Sequence, residues 1–170
     1  MTLKIFGVIL IIVGCGGFGF RIANNYRAEE RNIRQLIGII DFMKCELQYR
    51  LTPLPELCRM VSAEFSAPFH RIFKQFTSEL NEQISPDAER CMMSSLHKVQ
   101  AITPKTRDCL LLLGKSFGRF DLDGQIKGLD AVRQECKRNL DILCDNRDAR
   151  LRSYQTLGLC AGAALAILLI

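Results

Sequence analysis

Cysteine is the residue type with most chemical potential in this chain. There are eight cysteines and two histidines. Cysteine thiolates and histidine nitrogens hold zinc when they recur at short, regular spacings. Here Cys45, Cys58, Cys91, Cys109, Cys136 and Cys144 are irregularly spread, no two of them two residues apart, and His70 and His97 are distant from each other. A disulfide framework needs an oxidising compartment. Cysteines scattered over helical faces instead read as small core residues with reduced thiols. No metal and no cofactor is therefore expected.

Two glycine-bearing motifs also suggest chemistry by letter. Gly14-x-Gly16-x-x-Gly19 spells a dinucleotide-binding turn, but that turn needs a strand before it and a helix N-terminus at the pyrophosphate. Here it lies inside an apolar run, where small residues let helices approach. Asp121-Leu122-Asp123-Gly124-Gln125 begins like a calcium loop, yet glycine stands fourth instead of sixth, and Val132 occupies the position of the closing glutamate. Asp121 reads instead as a helix N-cap. Glu29/Glu30 and Asp145/Asp148 read as solvated helix faces. With no nucleophile–base–orienter set and no phosphate-binding loop, the chain is expected not to be an enzyme. A net charge of +5 without an aromatic-interleaved basic patch argues against nucleic acid as a partner.

The elements that must position these residues begin with the ends. Hydrophobic residues make up 48%, and they concentrate at the two termini. No charge occurs from Ile5 to Phe20 or from Ser153 to Ile170, and every acidic residue lies between. Both stretches are short beside the ~20 apolar residues of a spanning helix. Lys4 can snorkel to lengthen the first. The strongly apolar part of the second is only Leu157 to Ile170. The chain is thus expected to divide into a transmembrane helix at 1–23, a helical domain at 24–152 and a second transmembrane helix at 153–170. Gly158 and Gly162, with Ala166 four further on, offer a helix-packing face in the second.

Other readings of the N-terminus stay open. Ile12-Val13-Gly14-Cys15 resembles a bacterial lipobox, which would make the chain a lipoprotein-type binding module. A cleaved signal fits Ala23-Asn24-Asn25 poorly, and a buried core helix is a further alternative. A membrane-anchored enzyme with an unrecognised site is another. Arg21, Arg27, Arg31 and Arg34 follow the first segment, and Arg138, Arg147, Arg150 and Arg152 precede the second. The positive-inside rule then puts the middle domain in the cytoplasm, with arginines beside anionic lipid.

Within the middle domain, a hydroxyl residue followed by proline recurs at Thr52-Pro53, Ser85-Pro86 and Thr103-Pro104, and more loosely at Ser66-Ala67-Pro68. Serine or threonine suits an N-cap and proline suits the first helical position. With Asp121 as a further start, six helices are predicted: 24–50, 53–65, 68–84, 86–101, 104–118 and 122–152. The first and last should run on from the membrane segments. Helix one carries Ile33, Leu36, Ile37, Ile40, Met43, Leu47 and Leu51 on one stripe. Helix six carries Leu122, Ile126, Leu129, Val132, Cys136, Leu140, Leu143 and Leu151. Helix three carries Phe69, Ile72, Phe73 and Phe76. Leu110 to Leu113 make helix five apolar all round, hence central. Helix two has a thin stripe of Leu54, Leu57, Cys58 and Val61, so a homo-oligomer could complete the core. No alternating strand pattern occurs, and the short links predict an all-α, six-helix antiparallel bundle.

Three pieces carry a family resemblance: Glu46-Leu47-x-Tyr49 followed by Thr52-Pro53-Leu54; Leu113-Gly114-x-x-Phe117-Gly118-x-x-Asp121-x-x-x-Gln125; and Tyr154-x-x-Leu157-Gly158 leading into an apolar tail. In this order, with an apolar segment at each end, the chain resembles the stage III sporulation protein AB family of endospore-forming bacteria over nearly its whole length. It departs in its high cysteine content and in Phe117, where leucine is usual. The resemblance implies a membrane component of the sporulation channel between mother cell and forespore, seated in the mother-cell membrane around the forespore. It implies a cytoplasmic domain like the six-helix F domain of type II secretion platforms, above a companion stage III sporulation protein AA-type ATPase and beside other membrane components of the same complex. The expected partner surface is the membrane-distal end of the bundle, with Thr52, Pro53 and Leu54 at one turn and Gly114, Gly118, Asp121 and Gln125 at one corner.

Overall fold

In a computed structural model the chain is all-helical among the described residues. These are residues 2–82, 87–99, 102–117, 121–145, 156 and 160, with side chains from 24 onward. Six helices follow in order: α1 Thr2–Arg50, α2 Leu54–Glu64, α3 Phe69–Asn81, α4 Ala88–Lys98, α5 Pro104–Ser116 and α6 Leu122–Asp145. Contacts divide the chain into one unit of Arg31–Leu140 and another of Met1–Glu30 with Asp141–Ile170. Among the described residues no helix is long and apolar enough to cross a membrane. The anchors expected at 1–23 and 153–170, with Gly158 and Gly162, fall on side chains or whole residues outside that description.

Helix one runs on from the N-terminal segment without a break, as expected. Its buried face is Ile33, Leu36, Ile39, Ile40, Met43 and Leu47. Two positions of the expected stripe differ. Ile37 is only half-buried, with Ile39 inside in its place. Leu51 is 66% exposed, because the helix ends at Arg50 and Leu51 turns out with φ 53°.

The helix starts were legible in part. Thr103 is the N-cap of α5 with Pro104 next, as predicted, although its hydroxyl meets the Thr106 hydroxyl at 2.9 Å instead of a backbone N–H. Asp121 caps α6, accepting from Gly124 N at 3.0 Å. At α2 the cap moves one residue on, to Pro53, whose carbonyl accepts from Leu57 N at 2.9 Å. At α3 it falls on Pro68, not Ser66. Ser66 instead receives Gln35 Nε2 on its hydroxyl at 3.2 Å. The start predicted at Ser85-Pro86 lies outside the described residues, and α4 is capped by Asp87, which accepts from Glu89 N at 3.2 Å.

The core forms where the apolar faces meet. Phe69, Ile72, Phe73 and Phe76 of α3 are all fully buried, as expected from their spacing. Phe76 stacks at a tilt on Phe117, ring centroids 6.3 Å apart. Leu57, Cys58 and Val61 make the buried face of α2. Helix α5 is not apolar all round in its setting: Leu110 and Leu113 are buried, while Leu112 is 40% exposed. On α6, Leu129, Val132 and Cys136 are inside, and Leu122 at its start is exposed.

Candidate functional site

Two ion pairs set the register between the first and last helices of the Arg31–Leu140 unit. Lys44 Nζ donates to Asp130 at 2.7 and 2.8 Å. Arg133 donates to Asp41 at 2.5 and 3.3 Å. Each pair joins a residue one turn further along α1 to one a turn earlier on α6, so the helices run antiparallel. Continuing that register brings the end of α1 level with the first turn of α6. The turn of Thr52, Pro53 and Leu54 and the start containing Asp121 and Gln125 thus stand at one end of the bundle. Neither ion pair was singled out from the sequence, because nothing local links residues so distant along the chain.

At this end the local chemistry is structural. The Thr52 hydroxyl donates to Glu46 Oε2 at 3.4 Å, and Arg50 pairs with Glu46 Oε1 at 3.6 Å. One carboxylate thereby braces both the last turn of α1 and the chain leaving it. Thr52 and Leu54 are half-buried and Pro53 is exposed. Asp121 is occupied as a cap, and its carbonyl accepts from Gln125 N at 2.9 Å. Beside exposed Arg50 and Asp121, three large apolar side chains also face outward: Tyr49 is 83% exposed, Leu51 66% and Leu122 37%.

The other expected site residues divide. Gly114 is buried against α4, and a Cβ there would sit 2.8 Å from Met92 Cβ and 3.4 Å from Glu89 Cα. Its place in the motif is explained by close helix approach. Gly118 lies outside the described residues. Phe117 is buried, so a ring in place of leucine is absorbed by the core.

Elsewhere, Glu79 on α3 is buried and accepts on Oε1 from Ser94 at 2.9 Å, Lys98 at 3.0 Å and Gln75 at 3.2 Å. Burial alone would raise its carboxyl, but the hydrogen bonds from Lys98, Gln75 and Ser94 outweigh that and hold it below the usual carboxylate range. It ties α3 to α4. His70 Nδ1 lies 2.5 Å from the Ser62 carbonyl and must donate to it. Cys58, Cys91, Cys109 and Cys136 are buried as core residues. Burial pushes the Cys58 thiol up. Among the described residues no group of three or more His, Cys, Asp or Glu could hold a metal ion.

The fold is found in a known protein. The fold matches a solved structure of stage III sporulation protein AB with a TM-score of 0.63 at 20% identity, over 72% of this chain and 98% of that one. In sequence the chain is 25% identical to stage III sporulation protein AB of Bacillus subtilis (strain 168) over 170 residues, 98% of this chain and 99% of that relative. The motif pieces at Glu46–Leu54 and Leu113–Gln125 both lie inside the span matched by the family model for stage III sporulation protein AB, residues 4–170, and the chain belongs to that family.

Proposed function

We propose that the chain is a non-enzymatic platform in the sporulation channel complex, anchored in the mother-cell membrane by 1–23 and 153–170, with its helical domain in the cytoplasm. In this reading the domain couples a stage III sporulation protein AA-type ATPase to the other membrane components. Family membership supports it. The observation that carries the partner surface is the exposure of Tyr49 and Leu51 at 83% and 66% beside a turn that Glu46 braces. Surface apolar groups that the fold does not use, grouped at one end, mark an interaction site. A motion of the ATPase would be received there.

Co-purification of the ATPase with the full chain tests the reading. Wild type should retain the ATPase and Tyr49→Ser should lose most of it without loss of folding. Failure of wild type to retain the ATPase sinks the coupling role. Topology is tested separately. Cys91 and Cys109 are buried, so exposed Cys45 is the useful reporter. In intact cells a membrane-impermeant thiol reagent should miss Cys45. Labelling there would reverse the orientation.

A further inference from the structure

Helices α5 and α6 approach closely and leave a groove over their seam. A Cβ on Gly128 of α6 would stand 3.0 Å from Ser116 Cβ on α5. Further along α6, Asn139 Nδ2 donates to Cys109 Sγ of α5 at 3.7 Å. Later residues of α6 thus meet earlier residues of α5, so the two helices run antiparallel. Between these contacts a groove of about 400 Å³ opens to solvent, with Leu112, Lys115, Gly128, Ala131, Glu135 and Arg138 in its lining. Gly128 has no side chain and Ala131 only a methyl group, which leaves the space. Leu112 on one wall is a large apolar residue that the bundle does not bury.

The charges around the groove are unbalanced. Lys115 and Arg138 are both exposed, and stand toward its two ends. With Ser116 beside Gly128, they are roughly 13 Å apart along the α6 axis. The one lining carboxylate, Glu135, is used on both oxygens: Oε1 accepts from Asn139 at 3.4 Å and Oε2 from Arg138. Arg138 reaches it through Nη2 alone, so its Nε and Nη1 have no acceptor among the described residues. Lys115 has a loose partner in Glu89 Oε1 of α4 at 3.4 Å.

We propose that this groove receives an amphipathic helix of a partner protein, which lays apolar side chains over Leu112 and Ala131 and turns one carboxylate to Lys115 and another to Arg138. A groove between two packed helices accepts a third by the same interlocking of side chains that builds a bundle. Carboxylates about eleven residues apart fall on one face of such a helix and span about 16 Å, which the long Lys115 and Arg138 side chains bridge. Between them the partner carries leucine-sized residues at steps of three and four. The excess of cations selects an acidic face over a neutral or basic one. A contact of so few turns is small, so the complex is weak and reversible. This face is separate from the α1–α2 end and does not rest on the ATPase reading.

The test uses the full chain in phosphatidylcholine nanodiscs and a fluorescent synthetic helix of about sixteen residues. The helix has leucine and alanine on one face, a glutamate at each end of that face and glutamine elsewhere. Fluorescence anisotropy, with empty nanodiscs as background, should show saturable binding to wild type at micromolar concentrations. Ala131→Glu changes an exposed position, so the variant should fold, as circular dichroism will check. It should weaken binding at least about tenfold by filling the groove and adding a like charge. Arg138→Glu and Lys115→Glu should each weaken it several-fold, most at low salt. A helix with lysine in place of both glutamates should not bind. A photo-crosslinker at the middle of the apolar face should link to α5 or α6 beside Leu112 and Ala131. The proposal is overturned if wild type fails to bind, if Ala131→Glu binds as well as wild type, if the lysine helix binds equally, or if the links fall elsewhere. It is also overturned if the chain dimerises through this face, read as a dimer that Ala131→Glu splits and the peptide does not displace. No ATPase is present, so the result stands apart from the coupling role.

Discussion

Arg133 and Asp41 meet across the bundle from α6 to α1, Nε to Oδ1 at 2.5 Å and Nη2 to Oδ2 at 3.3 Å. The Asp41 carboxylate is the main reason the Arg133 guanidinium is held still more firmly charged than usual. One turn away Lys44 and Asp130 repeat the contact with the charges reversed. Each helix thus contributes one acid and one base, and sliding α6 by a turn would set like charges together. The clamp selects register more than it adds stability, because all four side chains are partly exposed to solvent and salt.

This gives the first prediction. Lys44→Met should cost about 0.5 kcal/mol in denaturant unfolding. Exchanging Asp41 for Lys together with Arg133 for Asp should restore what each single exchange loses. The coupling should fade as salt is raised. A cycle that shows no coupling even at low ionic strength would mean that the register is set by packing alone.

The glycine at α4–α5 leads to a second. Gly114→Ala places a methyl group against the root of the Met92 side chain and the Glu89 backbone, neither of which is a flexible end. Overpacking of this kind costs about 1–3 kcal/mol, against about 1 kcal/mol gained in helix propensity. A net loss of stability is expected on thermal unfolding. Gly38→Ala is the contrast, since its Cβ would meet only Phe65 Cε1 at 4.0 Å. That change should be neutral or stabilise by up to about 1 kcal/mol. Equal effects at the two sites would remove the close-approach account of Gly114.

How far such positions were legible follows from what a sequence pattern encodes. The phenylalanines of α3 were readable because steps of three and four place side chains on one face whatever the partner. Four consecutive leucines in α5 were not, since successive residues point about 100° apart and one of them, Leu112, must face away from any single neighbour. Asp121 and Thr103 were found as caps because capping is local. The braces from Arg133 to Asp41 and from Lys44 to Asp130 depend on which helices touch and in what register. Nothing in one strip of sequence states that. The turn at Thr52–Leu54 and the corner holding Asp121 and Gln125 were expected at one end of the bundle, but the clamp that sets the register there is written in neither stretch.

A third prediction concerns pH. The Glu79 carboxyl is depressed in the folded chain, so its contribution is present above the unfolded carboxylate range and is lost as pH falls through the folded value. Stability should therefore drop on acidification, and Glu79→Gln should flatten that part of the profile. At neutral pH the same change should cost about 1–3 kcal/mol, because hydrogen bonds from Lys98, Ser94 and Gln75 to a charged, buried acceptor are weakened. Lys98→Met should reproduce much of the acid-side flattening. A profile unchanged by either substitution would show that Glu79 titrates alike in folded and unfolded chains.

Leu51 separates folding from function most cleanly. A leucine at φ 53° occupies the left-handed region that disfavours a Cβ by roughly 1–2 kcal/mol, and it does so where glycine commonly ends a helix. Its side chain gains little in return, being 66% exposed. For folding alone glycine would serve better, although glycine also gives the unfolded chain more freedom. Leu51→Gly should therefore leave the bundle as stable as wild type or more so, by up to about 1 kcal/mol. If the α1–α2 end receives the ATPase, the same variant should lose binding, because the removed side chain belongs to the exposed apolar group with Tyr49. Stability unchanged or raised with co-purification reduced is the expected pair of results. Retention of full binding by both Leu51→Gly and Tyr49→Ser would move the partner surface away from this end, and the strained leucine would then need another cause.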